Sequence, residues 1–366
     1  MRKIERRNKL LGVLSCALLL GIFLLIILFG NIKKDEKVKI GFIISGSKEE
    51  DGWNGRHYQG ISRACDDLGV ELLVKENVKE FSGECEQAIS ELNEAGVGMI
   101  VLSSYGYSEE VKALVAQYPE ITFYASSSEY HCENMTSYFA RMYQVRYLSG
   151  IIAGLKTKSG NIGYVAAMPN NEVNRGINAF ALGVKRVNPE AKVIVSWTGA
   201  WDDEQAEKTA ACKLVKEKKT DVLTYHQNQN YVIRAAEELG VASIGYHQQF
   251  EGFSSLYLTS AVYDWEQVYR KLIREFIRGK ENSRSNYWIG IETGAIALSE
   301  YSSEVSEEIQ EEVEKAKEEI LSGKDVFSGV IYDNKGNLRC DESEILSDEM
   351  ILEEFDWYVE GVEFYE

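Results

Sequence analysis

Residues 161–195 read NIGYVAAMPNNEVNRGINAFALGVKRVNPEAKVIV, and this stretch decides the fold. Asn161–Ala167 is a short apolar run rich in strand formers. Glu172 to Val187 carries apolar residues at helical spacing, and Ala191–Val195 is a second β run. A strand, a crossover helix and a strand of this length make a parallel pair, because parallel neighbours need a long connection.

The unit recurs on both sides. Upstream, strands are expected at 38–44, 70–74, 97–102 and 121–124, alternating with helices at 54–68, 82–95 and 108–117, the last capped by Ser108. Gly69 and Gly96 stop the first two helices. The pattern restarts after a helix at 142–156. Downstream of the opening stretch, helices at 204–218, 231–239 and 265–278 alternate with strands at 221–225, 241–245 and 256–260. Two successive βαβ series predict an α/β chain of two Rossmann-like lobes with parallel sheets. An acidic amphipathic helix at 304–321, a hairpin within 326–339 around Asn334-Lys335-Gly336, and an aromatic tail at 355–359 follow.

The N-terminus is of another kind. Residues 10–30, LLGVLSCALLLGIFLLIILFG, carry no charge and are long enough to cross a bilayer as a helix. Five cations precede the run against one Glu5, which predicts a cytoplasmic tail at 1–9, a transmembrane anchor at 10–32 and an extracytoplasmic domain. Two other fates compete: a lipid-modified Cys16 and ordinary signal cleavage. The run is long for a signal core, no A-x-A site follows it, and fourteen residues lie between Cys16 and its end.

Charge excludes one class of partner. The first 37 residues hold 8 of the 40 basic and 3 of the 58 acidic residues, leaving 32 basic and 55 acidic residues in 38–366. Such a surface repels nucleic acid, which is bound through Lys and Arg. The six cysteines include no C-x-x-C, so free thiols are expected in place of a disulfide scaffold or a zinc site.

In parallel sheets ligands bind beyond the carboxyl ends of the strands. That rule selects loops holding Trp53, Asn54 and His57; Ser104 and Tyr105; Trp201 and Asp202; His226 and Asn228; Tyr246 and His247; and Asp264 with Trp265. Aromatic faces with neutral amides suit a flat heterocycle or a sugar stacked on a ring. Asp264 and Asp202 fit either a grip on hydroxyls or a helix N-cap. There is no P-loop, no G-x-G-x-x-G and no nucleophile elbow, and neither His226 nor His247 has a nucleophile beside it. The chain is therefore expected to bind and not to catalyse, with no cofactor and no metal.

Five segments, taken in order and spacing, carry a resemblance: Asp51–His57, Ser104–Tyr107, Ala140–Gly150, Asn161–Ala166, and Glu172–Gly183 with Val187-Asn188-Pro189. Over about Lys39 to Arg339 the chain resembles the basic membrane protein family, the solute-binding proteins of ABC transporters that include purine nucleoside and nucleobase receptors. The resemblance implies a type I periplasmic-binding fold: lobe 1 at 38–127 with a return segment at about 263–290, lobe 2 at 128–262 with a segment at about 291–340, and a tail at 341–366. It implies a purine-like ligand held between the lobes, with Trp53 and Tyr105 sandwiching or edging the base, and Trp201 and Asp202 fall in a family W-x-D pattern. It also implies permease and ATPase partners. A ligand-sensing ectodomain of a membrane regulatory complex is the alternative. The chain departs from the family at His226-Gln227-Asn228, at Tyr246-His247, at Tyr263-Asp264-Trp265, and at Glu292, where the family has a Lys.

Overall fold

The computed structural model describes residues 37–50, 52–127, 130–279 and 286–365. The expected cytoplasmic tail and anchor lie outside these. No helix among the described residues is long and apolar enough to cross a membrane.

The elements of the first half are β1 (Lys39–Ile43), α1 (Trp53–Leu68), β2 (Glu71–Lys75), α2 (Glu84–Glu94), β3 (Met99–Leu102), α3 (Tyr105–Val111), β4 (Thr122–Ser126) and β5 (Met135–Ala140). Then come α4 (Met142–Lys156), β6 (Asn161–Ala166), α5 (Asn171–Val187), β7 (Lys192–Trp197), α6 (Glu204–Lys218), β8 (Val222–His226), α7 (Tyr231–Leu239), β9 (Ala242–His247) and β10 (Tyr257–Tyr263). The chain ends with α8 (Trp265–Ile277), β11 (Asn286–Ile289), β12 (Ile296–Leu298), α9 (Glu307–Leu321), β13 (Ile331–Tyr332), β14 (Leu338–Cys340), α10 (Asp348–Glu353) and β15 (Val362–Phe364).

Two sheets result. The first has the order β11-β5-β4-β3-β1-β2 and is parallel throughout. The second has the order β12-β10-β9-β8-β6-β7-β15 and is parallel except where β12 pairs with β10. Side chains alternate across a strand, so Ile40, Phe42 and Ile44 enter one buried cluster and Ile43 another. Helices cover both faces of each sheet, as continuously apolar parallel strands require.

Among the described residues three segments cross between the sheets: Ala140–Met142 from β5 into α4, Tyr263–Trp265 from β10 into α8, and Ile289–Ile296 from β11 into β12. Arg141 N–H donates to Ile289 O at 2.8 Å, and Asp264 N–H donates to Ala295 O at 2.8 Å, so the crossings are tied together. This is the geometry of a hinge between two lobes.

The second lobe depends on a close helix crossing. A Cβ added at Gly183 would stand 2.0 Å from Tyr147 O, and one at Gly150 would stand 2.0 Å from Phe180 O. Only glycine lets the backbones of α4 and α5 meet at this distance.

Three expectations need correction. The sequence reading ends the first lobe at 127, but β5 extends its sheet to Ala140. The alternating polar residues of Met135–Ala140 hid this strand, which is buried on both faces. The helix expected from Ser108 begins at Tyr105 after the cap residue Ser104, and Ser108 Oγ instead donates back to Tyr105 O. The tail is part of the second lobe: β15 pairs with β7, and the buried amides of Asn174 and Asn178 hold Phe355, Trp357 and Val359. Cys65, Cys85 and Cys340 are buried free thiols, and Cys132 and Cys212 are half-buried ones.

Candidate functional site

The carboxyl ends of both sheets face one another, and the two walls they build differ. On the first-lobe side, rings pack on rings. Trp53 opens α1; its indole N–H donates to Ser103 O at 2.8 Å. Its ring lies 4.1 Å from His57 and 5.3 Å from Trp265, and His57 lies 3.7 Å from Trp265. Tyr263 stacks on Trp265 at 4.6 Å and 12°. Phe139, at the end of β5, stacks on Trp53 at 6.3 Å.

Several expected ligand residues are consumed inside this wall. His57 is fully buried and bonded through Nδ1 to the Tyr269 hydroxyl. Burial holds its pKa well below the usual imidazole value, aided by His247, so it is neutral. Trp265 is buried beneath Tyr263. Asp264 is exposed and caps α8, accepting from Gln267 N–H at 3.3 Å. Asn54 is buried; its side chain binds Glu50 and accepts from Ser45 Oγ at 3.2 Å. Ser104 caps α3 by position, and Tyr105 beside it is half exposed.

The second-lobe wall is polar. His226 ends β8 with its ring 4.2 Å from Tyr246 and 6.0 Å from Trp201. Its Nε2 stands 3.6 Å from Glu172 Oε1. Burial lowers the His226 pKa although Glu172 opposes the shift. His247 is buried, holds a left-handed φ of 57°, and donates from Nε2 to Asn228 O at 2.7 Å. Burial brings its pKa down to about 4, so it is neutral near pH 7. Tyr246 and Tyr263 meet hydroxyl to hydroxyl at 3.3 Å. Arg146 is fully buried among the rings of Tyr164, Phe180 and Tyr246, donating to Thr224 Oγ1 and Tyr225 O.

Asn228 joins the walls. Its Oδ1 accepts from Trp53 N–H at 3.3 Å, and its own N–H donates to Trp201 O at 2.9 Å. Trp53 and Trp201 therefore flank a single residue. Asp202 is exposed at the rim, where Gln229 donates to it at 3.4 Å.

Two spaces lie between the lobes. An inner chamber of about 10 Å³, room for about one water, is lined by Phe139, Tyr263, Tyr246, His226, Glu172 and Arg175 among others. An outer cavity of about 460 Å³ includes Tyr105, Trp288, Glu172, Arg175 and Asp348 in its lining. Glu172 and Arg175 face both. The sequence reading did not name Phe139, Glu172, Arg175 or Arg146 as ligand residues, and it named Tyr263 only as part of the strand-end crossing at 263–265. The signal for Glu172 and Arg175 was their place at the start of a helix that follows a sheet's carboxyl edge. Among the described residues no group of three or more His, Cys, Asp or Glu side chains is arranged to hold a metal ion.

A family model described as ABC transporter substrate-binding protein, PnrA-like, matches residues 37–328. The chain is 30% identical over 338 residues to a purine-binding protein of Brucella abortus, covering 91% of this chain and 95% of that one. It is 32% identical over 339 residues to a putative ABC transporter glucose-binding protein of Haloferax volcanii, covering 91% and 82%. Among solved structures, a solute-binding protein of an ABC transporter system from Aeropyrum pernix superposes with a TM-score of 0.65 at 19% identity, covering 78% of this chain and 92% of that one. A transcriptional activator of the comK gene from Bacillus halodurans gives 0.69 at 24%, covering 78% and 99%.

Proposed function

The chain belongs to the PnrA-like family of ABC transporter substrate-binding proteins, and on that premise we propose that it captures a purine nucleoside or nucleobase between its lobes. It is a binding protein of a transport system and not an enzyme. The residues that would meet the ligand are Phe139, Tyr263 and Tyr246 by their rings, and Glu172, Arg175 and His226 by their polar atoms. The apolar run at 10–30 holds the domain on the outer face of the membrane, where it hands the solute to a permease driven by an ATPase subunit.

One observation carries the choice of ligand. The inner chamber is lined by four aromatic residues, Phe139, Tyr143, Tyr246 and Tyr263, with the polar groups of Arg146, Glu172, Arg175 and His226 beside them. A purine brings a planar face that such rings can cover and a polar edge that such groups can meet. Because the inner chamber is small, binding requires the lobes to part at the crossing segments and close again, which buries the base between the two walls. Of the two relatives in the same identity range, the one named as purine-binding agrees with this reading and the one named as a putative glucose-binding protein does not.

A thermal-shift screen of the detergent-solubilised full-length chain against nucleobases, nucleosides and hexoses tests it. At a hundred times Kd a ligand adds about 2.7 kcal/mol, which raises Tm by about 3–4 °C in a chain of this size. The expected result is a shift with a purine and none with glucose. A shift with glucose and none with any purine overturns the reading.

A further inference from the structure

Glu172 and Arg175 are one turn apart on α5, a spacing at which opposite charges ordinarily pair. Here they do not. Among the described residues neither makes an ion pair within 4 Å, apart from the 3.6 Å approach of Glu172 to His226. Arg175 is 4% exposed, and the one hydrogen bond its guanidinium makes among the described residues is to Ile351 O at 3.1 Å. Both side chains line the inner chamber and the outer cavity. Leaving two opposite charges open toward a buried space is costly unless something bridges them.

The position is built. Asn170 caps α5 by accepting from Val173 N–H at 2.9 Å, and Glu172 sits in the first turn, where the helix dipole favours a carboxylate. Arg175 rests on the Trp288 ring at 5.1 Å, which fixes its guanidinium. The pair therefore presents one acceptor and one cluster of donors, side by side, at the edge of a slot whose faces are aromatic.

We infer that this pair reads the lactam edge of an oxopurine, Glu172 accepting from the ring N1–H and Arg175 donating to the 6-oxo group. The inference rests on the purine reading above and narrows it. A zwitterionic amino acid would satisfy the two charges but leave the rings of Phe139, Tyr246 and Tyr263 uncovered. A planar lactam uses both the charges and the rings. Glu172 and Arg175 are thereby specificity-determining residues.

Calorimetric titration of the full-length chain with hypoxanthine, 1-methylhypoxanthine and unsubstituted purine tests it. The methyl group removes the N1–H, and purine lacks both the oxo group and the N1–H. Hypoxanthine is expected to bind about tenfold or more tighter than either, since a site built around a hydrogen bond discriminates strongly against its loss. In Glu172→Met the gap to 1-methylhypoxanthine falls to about twofold, and in Arg175→Gln the gap to purine narrows but does not close, because Glu172 still reads the N1–H that purine lacks. A merely steric exclusion of the methyl group would persist in Glu172→Met and overturns the assignment. Equal binding of the three ligands to the wild type overturns it while leaving the purine reading intact. No binding of any purine overturns both.

Discussion

The two walls of the cleft are built on opposite principles. In the first lobe Trp53, His57, Trp265 and Tyr263 are partnered with one another, and the histidine among them is kept neutral. In the second, Glu172, Arg175 and His226 stand at the surface of the chamber; among the described residues His226 Nδ1 is buried without a partner, as His57 Nε2 is in the first. The difference separates rigidity from recognition. A close-packed aromatic stack is a platform that gains little from changing shape, whereas charged groups open to a chamber gain hydrogen bonds when the right ligand arrives.

The hardest way to break the comparison is to displace the polar wall as a body. Gly183→Ala forces apart α4 and α5, and α5 carries Glu172 and Arg175. A loss of about 3 kcal/mol in chemical denaturation is expected from such overpacking. The cost falls on the second lobe. An exposed glycine of the first lobe such as Gly96, whose left-handed φ of 78° rather than its space is the constraint, makes the contrasting control.

Acid sharpens the comparison next, because both walls contain buried neutral histidines. The folded-state pKa of His247 is lowered from 6.5 to about 4, so its contribution to stability is present in full above about pH 6.5 and is lost as pH falls toward 4. The loss at pH 5 from this residue amounts to about 2 kcal/mol. His247→Asn, which tolerates the left-handed backbone, should flatten the pH dependence of unfolding between 6.5 and 4 relative to wild type. An unchanged slope would mean that His247 is not held neutral by burial.

Much of the architecture was legible because its causes are local. Strand runs such as Lys39–Ile43 are apolar throughout, and helix stops such as Gly69 announce themselves. β5 escaped because Thr136 and Ser137 are buried polar residues satisfied only once the neighbouring strands are in place. The candidate site was legible as a set of loops and not as a set of roles. Strand-end position located Trp53, Tyr105, Trp201, His226, Asn228, Tyr246 and His247 near the gap between lobes. It did not separate them from His57, Asn54, Asp264 and Trp265, whose side chains are spent on packing and capping. Which of two adjacent residues faces a cavity depends on contacts from the other lobe, and no local pattern encodes those. The same holds for Phe139, which meets the chamber because Trp53 packs behind it.

Smaller perturbations probe the walls one side chain at a time. Trp53→Ala removes the support behind Phe139 but keeps the backbone bond to Asn228. Affinity for the purine should fall about tenfold, or about 1.4 kcal/mol, in a calorimetric titration. Unchanged affinity would remove the aromatic platform from the account. Tyr263→Phe deletes only the hydroxyl contact to Tyr246 at 3.3 Å. The expected change is about 1 kcal/mol or less in binding, with stacking retained.

The most direct test is a crystal structure of the protein with a bound purine. The base should lie between Phe139 and Tyr263 on one side and Tyr246 and His226 on the other, with its polar edge toward Glu172 and Arg175 and the lobes closed over it. A purine seated outside this gap, or lobes that close identically with the base excluded, would contradict the account.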